Sequence, residues 1–308
     1  MNVLLATDGS PQATVALETA AALLRKERAK FDLLCVAPEF TPPKASREKD
    51  AKKRSRMIES YRERIRVEAR EILVRAQASL AARGIEAGMR TEIGSPARVI
   101  IRLAGDYDLT VVGAHDRYTR RKPGLGPAAT RVVASAPNAV LIGRGAPGNK
   151  VWKILAAVDG SSASERALRL MGANFDVQAS EITVMSVVET PWVHLGLGRE
   201  WFVSPKEMID RTGSETEVAI ENELNYEAGD VIEVARMALE RHGLSATTVI
   251  TEGDPALEII SEAESGGYDL IVMGATGESD LKHDILGSVS TRVAQDAPCS
   301  VFVAKFVE

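Results

Sequence analysis

Cysteine is nearly missing from this chain, with two residues in 308, and both sit in apolar runs: Cys35 in Leu33-Leu34-Cys35-Val36, and Cys299 ahead of Val301-Phe302-Val303. Such positions read as buried thiols, whereas a redox role needs an exposed thiol of lowered pKa. Histidine is scarce too. His115, His194, His242 and His283 lack the spacing of metal ligands and no cysteine pair accompanies them, so no metal site is expected. No run approaches the roughly 18 apolar residues of a membrane span. Met1 leads into a strand pattern rather than a secretory leader, and a cytoplasmic, membrane-free protein is expected. Gly-x-Ser-x-Gly, Gly-x4-Gly-Lys-[Ser/Thr] and a Gly-x-Gly-x-x-Gly after the first strand are all absent, against a serine hydrolase, a P-loop NTPase and a dinucleotide oxidoreductase. No general base stands out, and no catalytic residue is assigned.

What the chain does have is a copy of itself. Val3-Leu4-Leu5-Ala6-Thr7-Asp8-Gly9-Ser10 returns as Ile154-Leu155-Ala156-Ala157-Val158-Asp159-Gly160-Ser161. Gly94-Ser95-Pro96-Ala97 returns as Gly253-Asp254-Pro255-Ala256, Tyr107-Asp108-Leu109 as Tyr268-Asp269-Leu270, and Thr130-Arg131-Val132 as Thr291-Arg292-Val293, in the same order. A unit of about 150 residues is a domain rather than a solenoid repeat. Two similar domains, 1–146 and 147–308, are expected, with Gly-Ala-Pro-Gly-Asn at 145–149 as the linker.

Within each copy, short β-branched runs alternate with longer stretches of helical period, the pattern of parallel strands joined by crossover helices, an α/β fold. In the second copy strands are expected at 152–158, 180–188, 246–252, 269–273 and 299–304, and helices at 162–171, 214–242, 255–265 and 287–296. Asp159-Gly160-Ser161 ends the first strand, with Ser161 or Ser162 as N-cap. Open sheets of this kind bind ligands beyond the carboxyl ends of the strands, where strand order reverses.

Gly274-Ala275-Thr276-Gly277, nine residues, then Gly287-Ser288 follows the fourth strand of the second copy. Glycine lets an anion approach the main chain closely and tolerates positive φ. The following helix offers unpaired N–H groups and partial positive charge at its start, so the loop reads as an anion cradle. Each glycine also has a purely structural reading, since tight turns need them without any ligand. For Asp159 the structural reading is a cap shared with Ser161.

Charge divides the copies. Residues 1–149 hold 26 Lys and Arg against 16 Asp and Glu, and residues 150–308 hold 12 against 27. Opposite fields favour docking of a basic face on an acidic one, within a chain or between chains, so a homo-oligomer or a protein partner is expected. The basic run Lys52-Lys53-Arg54-Ser55-Arg56, with Arg62, Arg64, Arg66 and Arg70, is interleaved with Glu59, Glu63, Glu68 and Glu71. That spacing marks a solvated helix laced with ion pairs more than a nucleic-acid surface.

A first strand ending in Asp-Gly-Ser, the duplication, and Gly-x2-Gly-x9-Gly-Ser after the fourth strand together resemble the universal stress protein family, in a tandem form covering nearly the whole chain. The resemblance implies, for each copy, an open five-stranded parallel sheet with helices on both faces, Rossmann-like, and a site for ATP where the glycine motif is intact. It assigns Asp159 to the ribose end and the main chain of Val187 to adenine, with Ala157 lining the same pocket. Met273 and Gly274 would flank ribose and α-phosphate. Gly277, Gly287, Ser288 and Val289 would hold phosphates through main-chain N–H groups and the Ser288 hydroxyl, with Mg2+ accompanying the nucleotide. Lys282 and His283 fall in the loop and are left outside the site.

The first copy keeps the spacing but has Asp116 where the second has Gly277, and Pro127 where it has Ser288. A carboxylate repels phosphate, and proline removes an N–H along with the hydroxyl. Arg117, Arg120, Arg121 and Lys122 in the same loop could still attract an anion weakly, but one intact ATP site per chain is expected, in the second copy of a nucleotide-dependent regulator of stress response with slow or absent turnover. The alternatives are a slow ATP hydrolase and an interaction or small-ligand module whose glycine loop is vestigial. The aromatic loop Pro191 to Phe202 is a lid or partner surface on one reading and packing against its own helix on the other.

Overall fold

The computed structural model describes residues 1–39, 48–115, 124–148, 151–189, 215–277 and 286–305, with the side chains of 48–53 and 215–225 outside the description. The chain forms two compact units, the first spanning Met1–Ala146 and the second beginning at Pro147.

In the first unit, β1 (Asn2–Ala6), β2 (Lys30–Ala37), β3 (Ala87–Ile93), β4 (Leu109–Gly113) and β5 (Ala139–Gly143) run parallel in the order β3-β2-β1-β4-β5. Leu5 of β1 lies beside Leu33 on one neighbour and Val111 on the other. All three are fully buried, as is Leu4, because a parallel sheet covered on both faces needs apolar residues in succession rather than in alternation. Helices α1 (Pro11–Leu23), α2 (Glu48–Ala81), α3 (Pro96–Ala104) and α4 (Pro127–Ser135) make the connections. Right-handed crossovers running outward from β1 to β3, then back to β4 and β5, place α1 and α2 on one face and α3 and α4 on the other. Accordingly α1 packs on β4 and β5, α2 on β2 and β3, and α3 against α4.

The second unit repeats this plan with β6 (Lys153–Ala157), α5 (Ser162–Asn174), β7 (Glu181–Val188), α6 (Glu215–Glu240), β8 (Thr247–Glu252), α7 (Pro255–Ser265), β9 (Leu270–Gly274), α8 (Ser288–Asp296) and β10 (Ser300–Ala304). Its strand order is β8-β7-β6-β9-β10, all parallel. The expected elements are all present, with edges moved by a residue or two. The exception is α5, which runs three residues past Met171. Gly172 is a helical residue whose missing side chain makes room for the His242 ring, 2.5 Å from where a Cβ would stand.

The repeated Tyr-Asp-Leu segment has a structural task. Asp269 Oδ2 accepts from Lys153 N at 2.9 Å and Asp108 Oδ2 from Asn2 N, so each carboxylate closes the start of its domain's central strand. Both cysteines are buried free thiols. Along α2, Ile65, Ala69 and Ile72 face inward while Arg62, Glu63, Arg66, Arg70 and Glu71 are exposed, as a solvated helix face requires. Among the described residues no helix is long and apolar enough to cross a membrane.

Candidate functional site: the cavity between β6 and β9

Strand order in the second unit reverses between β6 and β9, and their carboxyl ends part there because the chain leaves β6 toward one face and β9 toward the other. A cavity of about 350 Å³ opens at this point, and Ala157, Asp159, Val187, Met273, Gly274, Gly277, Gly287, Ser288 and Val289 all line it. Nine residues from four segments of the chain, up to 132 positions apart, thus share one space.

The β6 turn forms the first wall. Asp159 Oδ1 accepts from Ser161 N at 3.1 Å and from Ser161 Oγ at 2.6 Å, closing an Asx turn in which Gly160 takes φ +79°. The actual cap of α5 is Ser161, whose Oγ receives Ser164 N at 3.2 Å. With both bonds on Oδ1, the other carboxylate oxygen faces Gly277, where a Cβ would sit 3.1 Å from it. Asp8 makes the same turn bond to Ser10 N in the first unit, so this bond alone does not mark a ligand site.

The two loop glycines differ in what they are needed for. A Cβ on Gly274 would come within 2.7 Å of Ser164 N and 2.8 Å of the Ala163 carbonyl carbon, so β9 can lie against the first turn of α5 only with glycine there. Gly113 in the first unit meets the backbone of Gln12 and Ala13 in the same way. Among the described residues Gly277 has no such backbone neighbour, and the one atom near a Cβ placed there is an oxygen of the Asp159 carboxylate facing the cavity. None of Gly274, Gly277 and Gly287 takes positive φ, so what they supply is the absence of a side chain rather than a left-handed turn.

The phosphate-side amides need one correction. Gly287 N–H is already donated to Ala275 O at 2.7 Å, which fastens the end of the loop to the start of α8 and takes this amide away from any anion. Gly287 is the N-cap residue without a side-chain cap bond, so the open donors are the first amides of α8 itself, those of Ser288, Val289 and Ser290. The Ser288 side chain is exposed, whereas Ser290 is buried with its hydroxyl donated to Ala275 O at 2.6 Å.

At the opposite wall, Val187 lies near the end of β7. Met185 O accepts from Val158 N, so alternate residues of β7 turn their backbone groups toward β6. Val187 has the same parity, but β6 ends at Ala157, and its N–H and C=O therefore face the cavity without a strand partner. A donor and an acceptor side by side on one extended residue are what a flat heterocycle edge can pair with.

Val158, Met185, Glu189, Pro255, Ile259 and Ser290 were not foreseen as lining, and Ala275 and Thr276, named within the glycine loop but given no role, complete it. Pro255 and Ile259 belong to α7, reached only through the fold, while Ser290 could have been found as the third amide of a helix whose start was already singled out. Lys282, His283, the aromatic loop from Pro191 to Phe202, and Asp116 lie outside the described residues.

An open parallel α/β domain, duplicated, with its cavity at the point of strand reversal and a helix amino-terminus on one wall, defines the class. The model of the universal stress protein family matches residues 1–144 and again 151–305. The chain belongs to the universal stress protein family. Universal stress protein YxiE of Bacillus subtilis is 32% identical over 153 residues, 50% of this chain and 98% of the relative. A universal stress protein of Methanocaldococcus jannaschii is 33% identical over 160 residues, 51% of this chain and 84% of the relative. Among solved structures, a universal stress protein from Archaeoglobus fulgidus has a TM-score of 0.65 at 21% identity, covering 99% of this chain and 98% of that one, a likeness of fold.

Proposed function

We propose that the second domain binds ATP in the cavity between β6 and β9, and that the protein is a nucleotide-dependent regulator in stress response rather than a fast hydrolase. The observation that carries this reading is the placement of two complementary walls across one cavity. The unpartnered main chain of Val187 lies on one side and the open amides of Ser288, Val289 and Ser290 on the other. Adenine pairs with Val187, the Asp159 carboxylate accepts from ribose hydroxyls, and the phosphates lie over the start of α8, where amides and helix dipole favour negative charge. Among the described residues no carboxylate lines the α8 wall, so Mg2+ would be carried by the phosphates and water.

Equilibrium dialysis of the purified chain with labelled ATP tests the reading. One saturable site per chain, lost in Gly277→Asp, supports it; no saturable binding leaves the loop as a structural relic. Phosphate release compared between the native chain and Ser288→Pro separates a slow hydrolase from a binder. Docking of the basic first domain on an acidic surface, in the same chain or another, is the assembly that the charge division supports, and sedimentation at low and high salt measures it.

A further inference from the structure

The outer edge of the first unit carries a groove of about 500 Å³, lined by Arg66 and Arg70 of α2 and by Thr91, Glu92 and Ile93 of β3. Strand β3 stands outermost in its unit, and its pairing is with β2 alone among the described residues. Ile93 lies beside Ala37, whose C=O accepts from Gly94 N, so Gly94 and, by alternation, Glu92 and Arg90 turn their backbone groups toward β2. Thr91 and Ile93 have the other parity, and their N–H and C=O groups face the open edge. Ala87 shares that parity, and its C=O accepts from Gln77 Nε2 of α2 at 2.9 Å, which fixes the helix along this side of the strand.

Arg66 and Arg70 stand one helical turn apart on the same side of α2, both exposed, and among the described residues neither has an ion pair. The carboxylate in the lining is already engaged: Glu92 is turned to the opposite face of the sheet, where Arg90 holds it at 2.8 Å and Arg102 of α3 at 3.6 Å. The other exposed acids of this part of α2, Glu59, Glu63 and Glu71, do not line the groove. Duplication supplies a contrast. Ile72 stands against Gly9 as Val231 does against Gly160, the same offset that relates Gly94 to Gly253. That offset puts Asn225, Gly229 and Ile250 where the first unit has Arg66, Arg70 and Thr91, so the β8 edge has the strand without the guanidinium pair.

We propose that this groove binds an extended acidic peptide of a partner protein, which adds a strand to the β3 edge and turns two carboxylates, at alternate positions, to Arg66 and Arg70. Four helical residues rise about 6 Å and two strand residues about 6.6 Å, so an acid-x-acid pattern in a strand beside β3 matches the spacing of the arginines. Thr91 and Ile93 offer the main-chain donors and acceptors that hold an added strand, and the guanidinium pair selects for carboxylates on one of its faces. Exposed ion pairs contribute little singly, so pairing along β3 supplies the hold and charge supplies the choice among peptides. The inference gives the acidic partner of the basic first domain a place and a chemistry, and it rests on the docking reading above only for the sign of the charge.

The probe is a dye-labelled heptapeptide, Ser-Thr-Glu-Thr-Glu-Thr-Ser, titrated into the full chain at low salt without nucleotide and read by fluorescence anisotropy. The expected result is saturable binding of one peptide per chain. The double variant Arg66→Glu, Arg70→Glu weakens it at least tenfold and leaves the far-ultraviolet circular dichroism unaltered, since both side chains are exposed. Glutamine in place of both glutamates weakens it at least tenfold. Ser-Thr-Glu-Glu-Thr-Thr-Ser, which keeps the charge but sends the two carboxylates to opposite faces of a strand, weakens it at least threefold. Absence of saturable binding, native affinity in the double variant, or equal affinity for the three peptides overturns the proposal. Salt-sensitive self-association in sedimentation, with no peptide bound, overturns this groove as the acidic partner's site while leaving the docking of basic on acidic surfaces in place. Dialysis with ATP reads the second domain separately.

Discussion

At the scale of single residues, the two glycines of the β9 loop answer to different forces and their substitutions should separate. Gly274→Ala drives a methyl group against the backbone of Ser164 and Ala163, atoms that cannot swing aside. Overpacking of this kind costs about 1–3 kcal/mol, and urea unfolding should show the midpoint falling accordingly. Gly277→Asp meets no backbone among the described residues, so the fold should be kept. Its carboxylate enters beside that of Asp159 and in the space assigned to phosphate, and ATP affinity by titration calorimetry should fall at least tenfold, about 1.4 kcal/mol. A Gly277→Asp protein that binds ATP normally would remove this glycine from the site. The sequence displays both glycines with equal prominence. Which one is held by packing depends on how closely β9 approaches α5, a distance that no local pattern encodes. The same holds for Gly287, whose N–H is bonded to Ala275 across a loop and so is unavailable, although its position in the motif suggested an anion ligand.

At the scale of elements, the start of α8 is where binding energy should concentrate, and the chain contains its own control. Helix α4 begins with Pro127 at the position equivalent to Ser288 and still forms from Pro127 to Ser135. Proline is well accepted at the first helical residue, where the N–H has no intrahelical partner. Ser288→Pro should therefore leave stability almost unchanged while removing one amide and one hydroxyl from the phosphates. Hydrogen bonds to charged groups contribute about 1.5–3 kcal/mol each, so a loss of roughly tenfold or more in ATP affinity is expected, with an unaltered melting temperature of the free protein. A drop in melting temperature without loss of affinity would assign Ser288 to the helix rather than to the ligand. Elements were the most legible part of the sequence, because ten short apolar runs at duplicated positions leave little choice of strand. The walls contributed by Pro255 and Ile259 were not legible, since α7 reaches the cavity only once the sheet order is fixed.

At the scale of the whole molecule, duplication gives each domain a matching tyrosine that reports on alkaline stability. Burial holds the Tyr107 hydroxyl above the usual phenol range, and the nearby Asp32 carboxylate, which accepts from it at 3.1 Å, pushes the same way. Burial also raises Tyr268, opposed by a bond with Thr183 and reinforced by Glu262. A folded pKa above the unfolded value means the contribution is complete below about pH 10 and is lost as pH climbs through the raised value. Urea midpoints should thus hold steady to about pH 9.5 and then decline, more gently in the Tyr107→Phe, Tyr268→Phe double variant.

Duplication also sets the last expectation, that one nucleotide protects half of a chain whose two halves fold alike. ATP at a hundred times its dissociation constant stabilises the conformation that binds it by about 2.7 kcal/mol. Hydrogen exchange read segment by segment locates that gain, because protection rises only where opening breaks contact with the ligand. Slowed exchange is expected at 186–189, 274–277 and 288–290, the stretches that line the cavity of the second domain. The matching first-domain stretches at 35–38, 113–116 and 127–129 should exchange at the same rate with and without ATP, because Pro127 takes one amide and one hydroxyl from the helix start that would hold a triphosphate. Equal protection in both sets would mean that the floor common to the two domains, rather than the amides at the start of α8, determines nucleotide affinity.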